Sequence, residues 1–334
     1  MIDTQQRRIS DGQLLQEKLR IDDPSELINI SQERPDPSLT PEIIGEYHFD
    51  KNSCESIRCC HCHDTPHWNG FLIRDESLSR YTIGSTCGPK YYQLSFNTAR
   101  NNHKELLNRQ NYLKRINLIS QNSDNLIRSY ESIVNSQYLH NFEAKRKELI
   151  NKAPDPALRL ARFATGDSLT ETVQIRDYAA EERRNNENPD NQSGNPIYTF
   201  ELRPIGQLQG IAMVYEKGDL REEIDKLKEA IEKILSVANN PTDSISTKNL
   251  LDIIRQFDKL SESVQRAYRD TEAANDFFSL ENLERLKLWS KRFQHFKLDH
   301  ENGKLLISLK NHKRATVSPL KQLLLPPLPS MVSQ

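Results

Sequence analysis

The spacing of apolar residues predicts a chain built mainly of helices. The clearest stripe follows Asp219, where leucine and isoleucine recur at alternating intervals of four and three residues, the spacing of one helix face. Comparable stripes predict helices over 103–119, 125–152, 157–164, 247–275 and 280–296. We expect the polar segment 120–125 to separate the first two. The low number of glycines, 11, also disfavours a turn-rich all-β fold.

Other local patterns predict a further helix and several short strands. Ser168 with Glu171 forms a capping-box pattern, which predicts a helix to about residue 183. Alternation of apolar and polar residues predicts a hairpin from 70–75 and 79–84, with Phe71 and Ile73 facing Tyr81 and Ile83. Similar signals predict strands at 198–202 and 210–215, and a hairpin over 296–309 around Asn302-Gly303. The predicted fold class is therefore mainly α, with an N-terminal zinc-stabilised β-hairpin module and small additional β-hairpins.

Breaks in these patterns divide the chain into six segments. They are an acidic, largely irregular N-terminal segment (1–45), a zinc-binding β-hairpin module (46–95), a helical region (96–184), a flexible loop (185–196), an α+β region with a helical hairpin (197–317) and a Pro/Leu-rich tail (318–334). We expect the tail to pack back on the body, because its apolar residues would otherwise be solvated. Binding of a partner to this peptide is the alternative.

Composition and charge narrow the class of protein. Hydrophobic residues make up 36% and charged residues 28% of the chain, a polar balance typical of helical layers with exposed faces. The net charge of -1 conceals an acidic segment over 21–50 and a basic one over 98–163. The chain lacks an apolar secretory leader and any run of about 18 apolar residues. We therefore expect a cytoplasmic protein that does not enter membranes.

Cysteine and histidine cluster in residues 59–90. Cys59 and Cys62 form a Cys-x2-Cys pair, His67 follows, and Cys87 lies beyond the predicted hairpin. Zinc is bound tetrahedrally by such thiolate and imidazole ligands, so these four residues are the predicted ligands of a structural Zn²⁺. Competing ligand candidates are Cys54, Cys60, His61 and His63. Haem attachment, which also uses a Cys-x2-Cys-His sequence, is rejected because it belongs to exported proteins.

The arrangement over these 32 residues resembles the knuckle-and-hairpin part of treble-clef and zinc-ribbon modules. The absence of His-Glu-x-x-His, Walker A and Gly-x-Ser-x-Gly patterns favours a closed structural metal site over a catalytic one. The chain departs from both modules because its second half offers one cysteine, where they usually supply a pair. No named family is reached from these residues.

Three functions are compatible with this sequence. The first is a zinc-stabilised helical interaction or scaffold protein, without catalysis of its own, that binds a protein partner or self-associates. The second is nucleic-acid binding by the basic, tyrosine-containing residues Lys90, Tyr91, Tyr92, Arg100, Lys104, Arg109, Lys114 and Arg115. The third is a metal-dependent hydrolase or nuclease using Asp64 and spare histidines. No small-molecule substrate is indicated, and the first function is favoured.

Overall fold

The computed structural model describes residues 9–63, 67–164, 166–187, 194–215, 219–240, 244–310 and 313–330. About 52% of the chain is helical, and the described strands form three small sheets. The expectation of helices with small β elements is confirmed at this level. A helical share of about half does not by itself place the chain in the mainly α class. Within the described ranges, no helix combines the length and apolar character needed to cross a bilayer.

The chain forms two compact units. Unit 1 contains the chain up to Ser123 together with Ala230–Phe257, and unit 2 contains Asp124–Glu229 together with the chain from Asp258 onward. The helices are α1 Asp11–Gln16, α2 Cys87–Tyr92, α3 Leu94–Val134, α4 Gln137–Lys152, α5 Pro154–Leu160, α6 Tyr178–Glu187, α7 Leu220–Asn239, α8 Thr247–Glu272 and α9 Leu280–Ser290. The strands are β1 Arg20–Ile21, β2 Glu42–His48, β3 Asn69–Arg74, β4 Arg80–Gly84, β5 Ser168–Arg176, β6 Tyr198–Gln207, β7 Phe296–Glu301, β8 Lys304–Leu309 and β9 Arg314–Val317.

The predicted hairpin near the cysteines is present as β3 and β4. These strands are antiparallel, with Phe71 opposite Ile83 and Ile73 opposite Tyr81. All four side chains are buried, which confirms the predicted cross-strand pairs. The other face is buried too, with Leu72 in a second core cluster, so the alternation predicted the cross-strand pairs but not that both faces are covered.

This hairpin belongs to a larger sheet than expected. The sheet of unit 1 has the order β1–β2–β3–β4, and β2 pairs with β3 in antiparallel register. In β2, Ile43, Gly45 and Tyr47 are buried and alternate with more exposed residues. Its first residue, Glu42, lies inside the segment whose prolines predict irregular structure. The last of those prolines, Pro41, stands directly before the strand and so removes no ladder hydrogen bond.

The predicted break at 120–125 is wrong, because α3 is one continuous helix of 41 residues. The segment contains no proline or glycine, and its polar side chains bond within the helix. The Ser123 hydroxyl donates to the Ser120 carbonyl at 2.7 Å, and the Asn122 amide donates to the Leu118 carbonyl at 2.8 Å. Low helix propensity alone therefore does not end this helix.

The capping pattern at Ser168 is also misleading, because these residues form β5 instead of a helix. β5 pairs along its whole length with β6, and Glu171 lies opposite Arg203. The helix that follows, α6, begins only at Tyr178 and extends to Glu187, into the segment expected to be a flexible loop. Residues 188–193 of that loop lie outside the described residues.

Two further boundaries differ from the predictions. Residues 210–215 contain a 3-10 turn, Ile211–Met213, instead of a strand. The helix expected over 280–296 ends at Ser290, and Phe296 begins β7. The Ser290 hydroxyl accepts a hydrogen bond from the Leu298 backbone N–H at 2.9 Å, which joins the helix end to that strand.

The remaining expectations for unit 2 are largely confirmed. β7 and β8 form the predicted hairpin, and both turn residues, Asn302 and Gly303, have positive φ, as a type I′ turn requires. β9 adds a third strand. In the tail, the Tyr268 hydroxyl donates to the Pro326 carbonyl at 2.5 Å, whereas Leu324 is 95% exposed.

The apolar stripe after Asp219 is confirmed as the buried face of α7. Its members Leu220, Ile224, Leu227, Ile231 and Ile234 are all buried. The chain continues into α8, as a helical hairpin requires, but residues 241–243 of the connection lie outside the described residues.

Candidate metal centre

Three of the four predicted ligands lie together in unit 1. The sulfur atoms of Cys59, Cys62 and Cys87 are all within 4.8 Å of one another. Cys59 and Cys62 lie in the segment before β3, and Cys87 is the first residue of α2. Two segments separated by the β3–β4 hairpin therefore converge on one point, as the sequence predicts.

The spacing of the sulfur atoms suits a tetrahedral ion. Ligands at about 2.3 Å from zinc lie about 3.8 Å from one another in a regular tetrahedron. The Sγ atoms of Cys62 and Cys87 are 3.8 Å apart. A disulfide would need about 2.05 Å, and all five cysteines are free. The donor set therefore fits a thiolate-binding metal such as zinc.

Backbone contacts decide which of the two adjacent cysteines belongs to this cluster. The Cys60 N–H donates to the Thr82 carbonyl of β4 at 2.8 Å, and the His63 N–H donates to the Cys59 carbonyl at 3.1 Å, which closes the turn. Cys59 and Cys60 are both buried in the same core cluster, but only the Cys59 sulfur lies with those of Cys62 and Cys87. The pair is thus Cys59 and Cys62.

The Cys59 sulfur is surrounded by hydrogen-bond donors. The Cys60 thiol donates to it, and so do the backbone N–H groups of Gly84, Cys62 and His61; against desolvation, these bonds lower the pKa of Cys59. A sulfur that accepts several backbone N–H bonds is stabilised as a thiolate, the form that binds metal.

The thiols of Cys60 and Cys87 have raised pKa values. Burial and the negative charge of Cys59 raise the pKa of Cys87. The bond to Cys59 and burial raise the pKa of Cys60, which keeps that thiol protonated. Several thiolates so close together repel one another unless a cation lies between them. The electrostatics of the cluster therefore favour occupation by a metal ion.

His67, the fourth predicted ligand, lies beside this group but is not a member of it. Its Nε2 atom is 2.6 Å from the hydroxyl of Tyr47, and its backbone pairs with Ile57. Its ring also packs on Gly84, with the nearest ring atoms about 3.5 Å from where a Cβ would stand there. His67 as a ligand stays a prediction.

The competing candidates differ in their surroundings. The Nδ1 atoms of His61 and His63 are buried and have no hydrogen-bond partner among the described residues. The ring of His61 packs on Tyr91, with centroids 4.1 Å apart. Cys54 lies elsewhere, because its thiol donates to the Asp50 carbonyl and its side chain packs on a second core cluster.

Only part of the predicted hydrolase site lies within the described residues. Asp64, its proposed acid, lies outside the described residues. The described part of the cluster is dominated by sulfur ligands, which are typical of structural zinc sites.

The eight residues predicted to bind nucleic acid are not equally accessible. Lys90, Arg100, Lys104 and Lys114 are exposed, Tyr91, Arg109 and Arg115 are partly buried, and Tyr92 is in the core. The Tyr91 hydroxyl donates to the Pro35 carbonyl at 2.6 Å, and Arg109 forms an ion pair with Asp11 at 2.5 Å. These contacts engage Tyr91, Tyr92 and Arg109 in the fold. For the exposed residues, nucleic-acid binding stays a prediction.

Several residues that build the site have no signal in the sequence. The turn that contains Cys59 and Cys62 is contacted by backbone atoms of Thr82 and Gly84, and His67 is contacted by the hydroxyl of Tyr47. None of these three contacting residues belongs to a metal-binding motif. Their positions follow only from the pairing of β2, β3 and β4.

Comparison of the chain with protein-family models, curated proteins and solved structures returned no match.

Proposed function

We propose that the chain is a zinc-stabilised interaction or scaffold protein, in which Cys59, Cys62 and Cys87 hold one structural Zn²⁺. The observation that carries this proposal is the convergence of three sulfur atoms, two of them at the 3.8 Å separation of a tetrahedral edge. The metal would join the turn that contains Cys59 and Cys62 to the start of α2 and so stabilise unit 1. A fourth ligand would come from His67, or from His61 or His63.

A structural role is favoured over a catalytic one by the chemistry of the ligands. Three thiolates neutralise more than the charge of Zn²⁺, which makes a bound water a weaker acid than histidine ligands do. The proposed site also adjoins the hydrophobic core, because Cys59 is one of the buried core residues and Cys62 and Cys87 pack against them. The proposed role is therefore to hold a rigid surface for binding.

Metal analysis of the purified protein tests this proposal. We expect one zinc per chain in the wild type, and loss of most of it in Cys59→Ser, Cys62→Ser and Cys87→Ser. Cys60→Ser is the matched control, because it leaves the three cluster sulfurs in place and the serine hydroxyl can still donate to the Cys59 sulfur. Circular dichroism checks that each variant folds.

Titration with Co²⁺ supplies a second measurement for variants that lose stability. Thiolate-to-cobalt absorption should appear in the wild type and in Cys60→Ser, and weaken in the three ligand variants. Equal zinc in Cys59→Ser and the wild type would refute the site. The visible absorption of an iron–sulfur cluster would show that the metal is not zinc.

Nucleic-acid binding is a second candidate, supported by one helix face. Arg100, Lys104, Asn111 and Lys114 are all exposed, and their spacing places them along one side of α3. Such a stripe suits contact with phosphates. A gel shift at low salt tests it: Arg100→Ala with Lys104→Ala should weaken binding of DNA or RNA, and absence of any shift in the wild type excludes this function.

A further inference from the structure

The strands β5 and β6 form a two-stranded ribbon in unit 2. They pair in antiparallel register over nine and ten residues, and no third strand joins them among the described residues. Leu169, at the base of the ribbon, is fully buried, whereas every residue from Tyr198 to Pro204 on β6 is exposed. Within unit 2 the ribbon packs against helix α9, mainly through β5, which leaves the outer part of β6 uncovered.

One face of this ribbon carries three large apolar or aromatic side chains, and its one charged residue is Arg176, which lies opposite Tyr198. Residues directly opposite one another share a face, and the register sets Thr172 against Leu202 and Gln174 against Phe200. Tyr198, two residues before Phe200, continues the same row. We define the ribbon face by these residues: Thr172, Gln174, Tyr198, Phe200 and Leu202.

The three large side chains of the ribbon face are unusually exposed. Tyr198 is 49%, Phe200 71% and Leu202 60% exposed. With about 150–250 Å² of surface for each aromatic side chain, the row presents on the order of 400 Å² of contiguous surface. That is the size of patch that marks an interaction site, and about half of what one partner contributes to a standard interface.

The charges around the ribbon face indicate what covers it. Arg176, at the end of the face, is ion-paired with Glu181 at 2.9 Å and lies over the ring of Tyr178. The charged residues Glu201 and Arg203 lie on the opposite face and pair with each other at 3.6 Å. A nucleic acid would require a basic surface, and a strongly charged protein would require opposite charges. An apolar face whose one charged residue is already ion-paired is instead complementary to itself.

We propose that the ribbon face is a self-association surface, on which a second copy of this chain packs its own ribbon face about a two-fold axis. A two-fold contact uses the same patch on both copies, so it needs only a self-complementary face. Phe200 lies in the middle of the row and contacts the partner near the axis. This inference deepens the proposed scaffold function by naming its partner. The dimer itself is argued from the ribbon face, and only the biological role of the dimer rests on the proposed function.

Sedimentation equilibrium across a wide range of protein concentrations tests the proposal. We expect wild-type dimers, and dissociation constants raised about tenfold to a hundredfold in Phe200→Glu and in Leu202→Glu, since each loses the burial of one large apolar side chain. Leu324→Glu is the matched control, because Leu324 is 95% exposed in the same unit and belongs to the C-terminal tail, not to the ribbon face. Its dissociation constant should equal that of the wild type.

A wild type that stays monomeric at every concentration would overturn the proposal, and so would dimers of Phe200→Glu as tight as those of the wild type. Binding of the wild type to phosphatidylcholine vesicles, lost in Phe200→Glu, would assign the face to a lipid surface instead. Zinc content and circular dichroism are measured on the same samples. If the wild-type dimer contains no zinc but Phe200→Glu still disrupts it, the metal site is refuted and the self-association surface is supported.

Discussion

The hydroxyl of Tyr47 lies 2.6 Å from Nε2 of His67, and this bond ties β2 to the chain that enters β3. Tyr47 is fully buried, and burial raises the pKa of its phenol, so the hydroxyl stays protonated. The bond fixes the imidazole of His67 next to the cysteine cluster. The contacts of Tyr47 with His67 and Gly70 lead to two predictions.

Replacing Tyr47 with phenylalanine should separate the structural and ligand roles of His67. Loss of the hydroxyl removes a part-buried hydrogen bond to the imidazole Nε2, which should lower the free energy of unfolding by about 1–3 kcal/mol. If His67 also binds the metal, zinc affinity should fall about 10- to 100-fold, the usual effect of removing a group that orients a ligand. Urea unfolding and competition with a zinc chelator measure the two effects, with Tyr178→Phe, at an exposed position, as the control. Lower stability at unchanged zinc affinity would argue against His67 as a ligand.

Two glycines that face each other across β3 and β4 should respond differently to substitution. A Cβ on Gly70 would stand 2.5 Å from the Ile83 carbonyl oxygen and 2.6 Å from the Tyr47 hydroxyl, whereas a Cβ on Gly84 would meet nothing closer than 3.5 Å. Gly70→Ala should therefore cost about 1–3 kcal/mol in the free energy of unfolding, because backbone must move. Gly84→Ala should cost less than about 1 kcal/mol. Equal losses in urea unfolding would contradict the packing described for Tyr47.

His103 should make the protein less stable in mild acid. It is buried, its Nδ1 lies 3.2 Å from the Ile43 carbonyl oxygen, and burial lowers its pKa below the ordinary 6.5, although the Glu46 charge and nearby carbonyls oppose this. Below pH 6.5 the unfolded chain binds a proton that the folded chain resists. Stability is therefore complete above pH 6.5 and falls as the pH drops from 6.5 towards the folded pKa.

Unfolding in urea at a series of pH values measures this dependence. His103→Gln should flatten the curve in that window, since glutamine does not titrate. His140→Gln, at an exposed position, should leave the curve unchanged. A curve that is the same in the wild type and in His103→Gln would show that His103 is not the group responsible.

The ion pair between Arg109 and Asp11 should be essential for unit 1. The guanidinium donates two bonds, at 2.5 and 2.7 Å, to the carboxylate and a third, at 2.8 Å, to the Ile245 carbonyl. Both side chains are largely buried, so Asp11→Ala leaves a buried charge uncompensated and should cost about 3–5 kcal/mol. Lys18→Ala breaks a more exposed pair with Glu26 and should have a far smaller effect, because solvent screens that pair. Similar losses in thermal or urea unfolding would contradict this ranking.

Predictions based on the periodicity of apolar residues succeeded in several elements. The pairs Phe71–Ile83 and Ile73–Tyr81, and the buried stripe of α7, follow directly from the alternation or the helical spacing of apolar residues. The turn signal Asn302-Gly303 was also confirmed, whereas the predicted break at 120–125 and the predicted helix after Ser168 were wrong. The capping pattern at Ser168 lost to strand pairing with β6, because a local hydrogen bond is worth less than a complete ladder.

The sequence by itself determined that a Cys-x2-Cys pair would meet Cys87, because a Cys-x2-Cys turn followed by a hairpin returns the chain to its starting point. It left open whether Cys59 or Cys60 belongs to the cluster, since adjacent residues offer the same chemistry. Tertiary structure decided this, because the Thr82 carbonyl of β4 accepts the Cys60 N–H, and the N–H groups of Gly84, Cys62 and His61 donate to the Cys59 sulfur. The exposure of Phe200 was likewise decided only in three dimensions, since a strand pattern does not reveal which face the rest of the fold covers.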